Sequence, residues 1–198
     1  MKIQFISFFI SILLNSCYSQ TNKLTEEDFK WMPYKGDETL VFRSNNGDTS
    51  KIFILSKDTL LAYPEAQALN GIVYEVVSVF CNHYSRDNQG KGRNYHFFQV
   101  QKAKDNRTEM VFDLSFDDTE FDRIRPVKID SLIKIAPFKL QTSFGQYDDV
   151  YIIYPDDIGM HLYYRSGFVT KLYWSKSKGL IRYDKKDNVY WELVKNDK

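Results

Sequence analysis

The segment "RTEMVFDLSF", residues 107–116, has the alternating pattern of a β-strand with one buried face. Its even positions carry Thr, Met, Phe, Leu and Phe, whereas its odd positions include Glu109, Asp113 and Ser115. Successive side chains of a strand point to opposite faces of a sheet, and apolar residues here recur at every second position. The segment therefore predicts a strand with one face in a core and the other in water.

Similar segments, rich in Val, Ile, Phe and Tyr, recur on both sides of this one. Between them lie short clusters such as "SNNGDT" and "SKSKG", which are typical of strand reversals. The predicted strands are 39–43, 51–55, 72–84, 93–102, 107–116, 132–141, 149–154, 168–175, 180–183 and 189–194. Many strands with short reversals predict an all-β fold: an antiparallel meander of about ten strands that forms a barrel, half-barrel or sandwich.

Three of the predicted strands carry large apolar side chains at consecutive positions. These are "DVYIIY" at 149–154, "KLYW" at 171–174 and the residues 52–55. A strand with apolar groups on both faces has to be covered on both sides. The pattern therefore predicts a second layer, or a closing sheet, over these strands.

Helix signals are few and short. In "LTEEDFKW", Thr25 is placed as an N-cap with Asp28 three residues later, a pattern similar to a capping box. In "YPEAQALNG", Pro64 falls at a first helical position and Gly71 just past the end. Helices of this length are too short for the crossovers of a parallel sheet, so we expect one or two short helices beside an antiparallel sheet.

The N-terminus has the features of a signal peptide. Lys2 precedes a run at 3–14 that is apolar apart from Gln4, Ser7 and Ser11. A bilayer-spanning helix needs about 20 apolar residues, and this run ends well before that length. We therefore predict a secretory signal peptide that is removed.

Leu14-Asn15-Ser16-Cys17 resembles the lipobox of bacterial lipoproteins. The resemblance implies that Cys17 is acylated, for example with palmitate, and becomes the mature N-terminus, although Asn15 departs from the usual small residue. The alternative is ordinary cleavage after Ser19, which would give a secreted protein. The predicted organisation is a signal peptide at 1–16, a lipidated polar tether at 17–24 and one β-rich domain at 25–198. The predicted location is the cell envelope, with the protein anchored in the outer membrane.

Composition narrows the classes of function. The chain has 27 basic and 26 acidic residues, and removing the signal peptide takes away only Lys2, which leaves equal numbers of each. Nucleic-acid binding needs a clustered positive excess, so no nucleic-acid partner is expected. With 43% hydrophobic and 16% aromatic residues, the chain has ample material for a core. If Cys17 is acylated, Cys81 has no cysteine left to pair with.

Reactive and metal-binding candidates are sparse, and the sequence has no motif for a cofactor. Cys81 and His83 share a strand face and could form a nucleophile and its base, but a lone Cys more often serves as a small buried hydrophobe. An acidic run at 113–122 carries oxygen ligands that could hold calcium, and a solvated turn is the interpretation we prefer. Its candidate ligands are Asp117, Asp118, Glu120 and Asp122.

Aromatic residues crowd the last quarter of the chain. We expect about half of them in the core, and Tyr151, Tyr173 and Tyr190 are candidates for an outward binding surface for an apolar or carbohydrate ligand. The segments "WMPYKGDETLVFRSNNGD" and "YWSKSKGLIRYDKKDNVYWEL" resemble uncharacterised β-rich bacterial lipoproteins, which implies an address and a fold but no activity.

The sequence thus predicts a membrane-anchored lipoprotein that serves as a non-enzymatic binding or scaffold module. One alternative is a structural or assembly component of an envelope protein complex, because aromatic faces suit protein partners. The other is a hydrolase-type enzyme with a cleft that includes Cys81 and His83.

Overall fold

The computed structural model describes residues 20–63, 71–83, 95–116, 119–121, 123, 125–156 and 167–197. The strands are β1 (Thr21–Asn22), β2 (Glu38–Ser44), β3 (Thr49–Ala62), β4 (Val73–His83), β5 (Tyr95–Lys102), β6 (Thr108–Phe112), β7 (Leu114–Phe116), β8 (Thr119–Phe121), β9 (Val127–Lys128), β10 (Phe138–Gln141), β11 (Gln146–Ile153), β12 (Val169–Ser175), β13 (Gly179–Lys185) and β14 (Tyr190–Asp197). The helices are α1 (Glu26–Phe29), α2 (Ile129–Ile133) and a 3-10 turn at Lys186–Asn188.

Eleven strands form one curled antiparallel sheet, a half-barrel, in the order β10-β11-β12-β13-β14-β2-β3-β4-β5-β6-β9. The all-β prediction is therefore confirmed. Most neighbours are consecutive in the chain, but β14 pairs with β2 and so joins the strands β10–β14 to the strands β2–β6 at the middle of the sheet. The short strand β1 pairs in parallel with the start of β4, and β7 and β8 form a separate hairpin.

The predicted strand at 132–141 is partly wrong. Residues Ile129–Ile133 form α2, and the strand begins only at Phe138, directly after Pro137. Ile129 and Leu132 are both buried, and their spacing of three places them on one face of a helical turn. The sequence 127–138 thereby links β9 at one edge of the sheet to β10 at the other edge.

The predictions about strand faces had mixed outcomes. In β6, Thr108, Met110 and Phe112 are buried, as the alternation predicted, but the strand ends before Asp113, whose N–H bonds to the carbonyl of Phe97. In β12, Leu172, Tyr173 and Trp174 are buried on both faces, as expected. For 52–55 the expectation was wrong, because Leu55 is 44% exposed.

The N-terminal segment packs inside the curl of the sheet. The Thr25 hydroxyl oxygen accepts a bond from the Asp28 N–H, and the Asp28 carboxylate accepts one from the Thr25 N–H, which confirms the predicted capping box. The ring of Tyr34 lies 5.5 Å from Phe97 of β5 and 5.9 Å from Trp174 of β12. Because these strands belong to opposite halves of the sheet, Tyr34 lies between the halves. Its hydroxyl oxygen accepts a hydrogen bond of 2.8 Å from the Leu180 N–H.

A buried ion pair fixes α1 to the sheet. Asp28 Oδ2 lies 2.9 Å from Nζ of Lys102, and its Oδ1 accepts a 2.6 Å bond from Thr108. Burial alone would raise the pKa of Asp28, but the hydrogen bonds from Thr108, Lys102 and Thr25 outweigh it and lower that pKa below its usual 3.8. The carboxylate form of Asp28 is therefore stabilised by the fold.

Several predictions about the N-terminal half concern residues that the structure does not describe. The signal peptide, Cys17 and residues 64–70 of the second predicted helix fall outside them. Within residues 20–24, assigned by sequence to the tether, Thr21 and Asn22 form β1, the Leu24 N–H bonds to Glu75, and the side chains of Asn22 and Leu24 are buried. The polar composition of this segment gave no sign that it would pair with β4. Within the described residues, neither helix has the length to cross a bilayer.

Candidate binding cleft

A cleft of about 410 Å³ lies between the β9–α2 segment, at one edge of the sheet, and the end of β11, beside the other edge. We call it the seam cleft, and its lining comes from residues within 123–132 and 152–156. Its volume falls within the range of small-molecule sites, so the seam cleft is a candidate ligand site.

Cationic side chains dominate the charge of the seam cleft. Arg123, Arg125 and Lys128 line it together with one carboxylate, that of Asp156. Arg125 and Lys128 are exposed, and neither makes an ion pair with another described residue. An anion entering the cleft would therefore meet two cationic side chains that form no ion pair with the described residues.

Asp156 organises this cationic segment. Its Oδ2 accepts a 2.6 Å bond from the backbone N–H of Arg125, and its Oδ1 lies 3.4 Å from Nη1 of Arg123. The same Nη1 donates to the carbonyl of Tyr154 at 2.6 Å. The Nε of Arg123 is buried and has no hydrogen-bond acceptor among the described residues. One carboxylate thus anchors the segment through its backbone while the cationic heads of Arg125 and Lys128 remain available.

The remaining wall of the seam cleft is largely apolar. Val127 of β9, Leu132 of α2 and Ile153 of β11 line it and are themselves part of the buried core. Tyr154 lies at the cleft with 54% of its surface exposed. Arg forms bidentate hydrogen bonds with carboxylate or phosphate, and Lys adds a point charge. The arrangement is therefore suited to an anionic head group attached to an apolar body.

Two of the sequence-predicted aromatic candidates meet around a different residue, Arg182. Its guanidinium carbon lies 4.0 Å from the ring centroid of Tyr190 and 5.2 Å from that of Tyr173. Its Nε bonds to Asp184 at 2.7 Å, and its Nη1 bonds to Glu192 at 3.2 Å. This cluster ties together the side chains of β12, β13 and β14.

Around Arg182, both carboxylates and the hydroxyl of Tyr173 already have hydrogen-bond partners within the fold. Tyr173 donates a 2.8 Å bond to Asp184, and burial together with that carboxylate raises the pKa of Tyr173 to about 12. Glu192 accepts a bond from the N–H of Ser143, in the turn between β10 and β11. We therefore interpret the cluster as a structural support. The third candidate, Tyr151, lies elsewhere, with its ring 5.1 Å from that of Trp31.

Cys81 lies in the core and is 2% exposed. Burial, with a smaller contribution from the charge of Asp113, raises the pKa of its thiol to about 12. A nucleophilic cysteine needs the opposite shift, because the thiolate is the reactive form. The backbone of His83 pairs with Ile52 at the end of β4, and its side chain is not described.

The acidic cluster is described only in part. Glu120 lies in β8, where its N–H bonds to the carbonyl of Gly167, while Asp117, Asp118 and Asp122 lie outside the described residues. Within the part of the chain that the structure describes, no three His, Cys, Asp or Glu side chains are grouped as metal ligands. The calcium alternative stays a prediction.

Sequence reasoning missed the seam cleft. The signal that could have found half of it is the spacing of Arg123, Arg125 and Lys128 in "FDRIRPVKID". Its other half, at 152–156, consists of the end of β11 and the three residues after it, which lie far from 123–132 in the sequence. The two halves meet because α2 carries the chain from one edge of the sheet to the other.

No family model matches the chain, and neither the curated proteins nor the solved structures contain a match.

Proposed function

We propose that this chain is an exported, lipid-anchored protein of the cell envelope whose β-domain is a non-enzymatic binding module, and that the seam cleft binds an anionic amphiphile. The observation that carries the binding proposal is the seam cleft itself, which is lined by the exposed cations Arg125 and Lys128 together with apolar side chains. The buried, protonated thiol of Cys81 supports a structural role for that residue rather than a catalytic one.

The anchoring part of the proposal rests on the apolar run at 3–14 and on Leu14, Ser16 and Cys17. A diacylglycerol and an amide-linked acyl chain bury many methylenes at about 0.8 kcal/mol each, so acylation is sufficient for stable anchoring. Outer-membrane placement and acylation with palmitate are part of the same proposal.

Metabolic labelling with a fatty acid tests the anchor. The wild type should be labelled, Cys17→Ser should not, and Cys81→Ser should keep the label, because Cys81 is the only other cysteine in the chain. Equal labelling of the wild type and Cys17→Ser would refute the anchor. An unlabelled, secreted protein that begins at Gln20 would instead identify cleavage after Ser19.

Isothermal titration calorimetry with laurate, dodecyl phosphate and dodecanol tests the binding proposal. Both anionic probes should bind, and neutral dodecanol should bind more weakly. Replacing Arg125 or Lys128 with Gln should weaken the binding of the anions by about tenfold each, which is about 1.4 kcal/mol. Lys51→Gln makes the same change in charge at an exposed site on β3, away from the cleft, and should leave affinity unchanged. Equal affinities for dodecanol and laurate, or equal effects of the cleft and control variants, would reject the site.

A further inference from the structure

The chain is fixed to one end of the sheet immediately after the proposed anchor. The carbonyl of Gln20 accepts a 2.9 Å bond from the N–H of Val73, and Asn22 pairs with Tyr74 at the start of β4. The buried side chain of Asn22 also donates a 2.9 Å bond to the carbonyl of Ala103. The position of Gln20 on the domain is therefore well defined.

The same end of the sheet exposes large apolar side chains. Leu60 and Leu61 of β3 are 50% and 49% exposed, and Tyr63, directly after the strand, is 59% exposed. We call these three residues the β3 tip. On the opposite side of β4, Ala62 of β3 pairs with the same Tyr74 that Asn22 pairs with. Since neighbouring strands lie about 4.8 Å apart, the β3 tip begins about 10 Å from β1.

The distance from the anchor to the β3 tip is short. Three residues, Cys17 to Ser19, precede Gln20, and a fully extended chain spans at most about 3.6 Å per residue. An acylated Cys17 therefore lies within about 20 Å of the β3 tip, even when these residues are extended. An anchor at the membrane surface keeps the β3 tip close to the bilayer.

The directions of the side chains favour a bilayer over a protein partner at this place. Leu60 and Leu61 are consecutive in a strand, so their side chains project from opposite faces of the sheet. A flat protein surface would cover only one of the two faces, whereas a bilayer surrounds an inserted strand end on both. Tyr63 adds a side chain of the type that is enriched at the membrane–water interface.

We propose that, in the acylated protein, the β3 tip inserts into the head-group region of the bilayer that holds the acyl chains of Cys17, and so gives the domain one orientation on the membrane. This inference rests on the proposed lipid anchor. Without it the tip would have no membrane held next to it.

Quenching by brominated lipids tests the insertion. The mature protein, which begins at acylated Cys17, is reconstituted into vesicles of phosphatidylethanolamine and phosphatidylglycerol, and acylation is verified by mass spectrometry. An NBD fluorophore is attached to Leu61→Cys in one sample and to Leu55→Cys in the other. Leu55 is a matched control, because it is a similarly exposed leucine of the same strand, six residues further from the tip. Brominated lipid should quench the fluorophore at position 61 several-fold more strongly than the one at position 55.

The outcomes separate this inference from the proposed anchor. Equally weak quenching at both positions in a protein with verified acylation would overturn the insertion and leave the anchor intact. A protein that carries no acyl chain at Cys17 would overturn the anchor and, with it, the insertion. Strong quenching at both positions would show a different orientation and would also reject the inference.

Discussion

Replacing Gly179 with Ala should destabilise the fold far more than the same replacement at Gly47. Both glycines have left-handed backbone conformations, with φ of +83° at Gly179 and +93° at Gly47. A Cβ on Gly47 would meet nothing within 4 Å, whereas one on Gly179 would lie 2.3 Å from the hydroxyl oxygen of Tyr34 and 2.4 Å from its Cζ. The comparison therefore separates backbone strain from steric overlap.

The magnitude follows from the surroundings of Tyr34. A non-glycine residue in the left-handed region costs about 1–2 kcal/mol, and this term is shared by both variants. At Gly179 the new methyl group also displaces a ring that is 1% exposed and packed against Phe97 and Trp174. Overpacking of a well-packed core costs about 1–3 kcal/mol more. Each replacement lowers the conformational entropy of the unfolded chain by the same amount, so this effect cancels in the difference between the two variants.

Urea denaturation followed by tryptophan fluorescence measures the difference. We expect Gly179→Ala to lower the free energy of unfolding by about 2–5 kcal/mol and Gly47→Ala by about 1–2 kcal/mol, with unchanged m-values. Equal losses in the two variants would refute the argument that Tyr34 requires glycine at position 179.

Three further predictions concern buried polar groups. Tyr34→Phe should cost about 1–3 kcal/mol of stability, because it leaves the N–H of Leu180 buried without an acceptor. Asp28→Asn should cost about 3 kcal/mol at neutral pH by leaving Lys102 buried without its partner carboxylate. Because the folded pKa of Asp28 is lowered, the wild type should lose this stabilisation as the pH falls below 3.8 and through that lowered pKa, so the stability of Asp28→Asn should depend less on pH. Cys81, whose pKa is raised to about 12, should resist iodoacetamide at mildly alkaline pH until the protein is unfolded.

The two substitutions have matched controls. Tyr63→Phe removes an exposed tyrosine hydroxyl and should leave stability unchanged. Asp130→Asn removes an exposed carboxylate and should keep the pH dependence of the wild type. Rapid alkylation of Cys81 in the folded state, loss of stability in Tyr63→Phe equal to that in Tyr34→Phe, or the same flattening of the pH profile in Asp130→Asn would each contradict the corresponding prediction.

The fold class was predictable because its signals are local. The alternation of Thr108, Met110 and Phe112 placed β6, and the pairing of Thr25 with Asp28 placed α1. The helix α2 was missed because its five residues include two Ile, whose β-branched side chains suit strands, and because its burial depends on only Ile129 and Leu132.

Contacts between distant segments could not be predicted from local patterns. The packing of Tyr34 against Leu180 joins residues 146 positions apart, and no pattern in either segment indicates the other. The seam cleft likewise depends on a contact between distant residues, because the backbone N–H of Arg125 donates a hydrogen bond to Asp156, 31 positions later. The grouping of Tyr173 and Tyr190 depended on the register of β12, β13 and β14, which places both rings beside Arg182.

The pairing of β14 with β2 has a consequence for the order of folding. The segments β2–β6 and β10–β14 are each a meander of neighbouring hairpins, but they join only when the last strand pairs with β2. Until β14 has been synthesised, β2 keeps an unpaired edge and the two halves of the sheet are not joined. A chain truncated before Tyr190 would therefore add open strand edges at β2 and β13 to those of β10 and β9, and such edges recruit other chains. The eight residues of β14 thus determine whether β2 and β13 are paired or left open to aggregation.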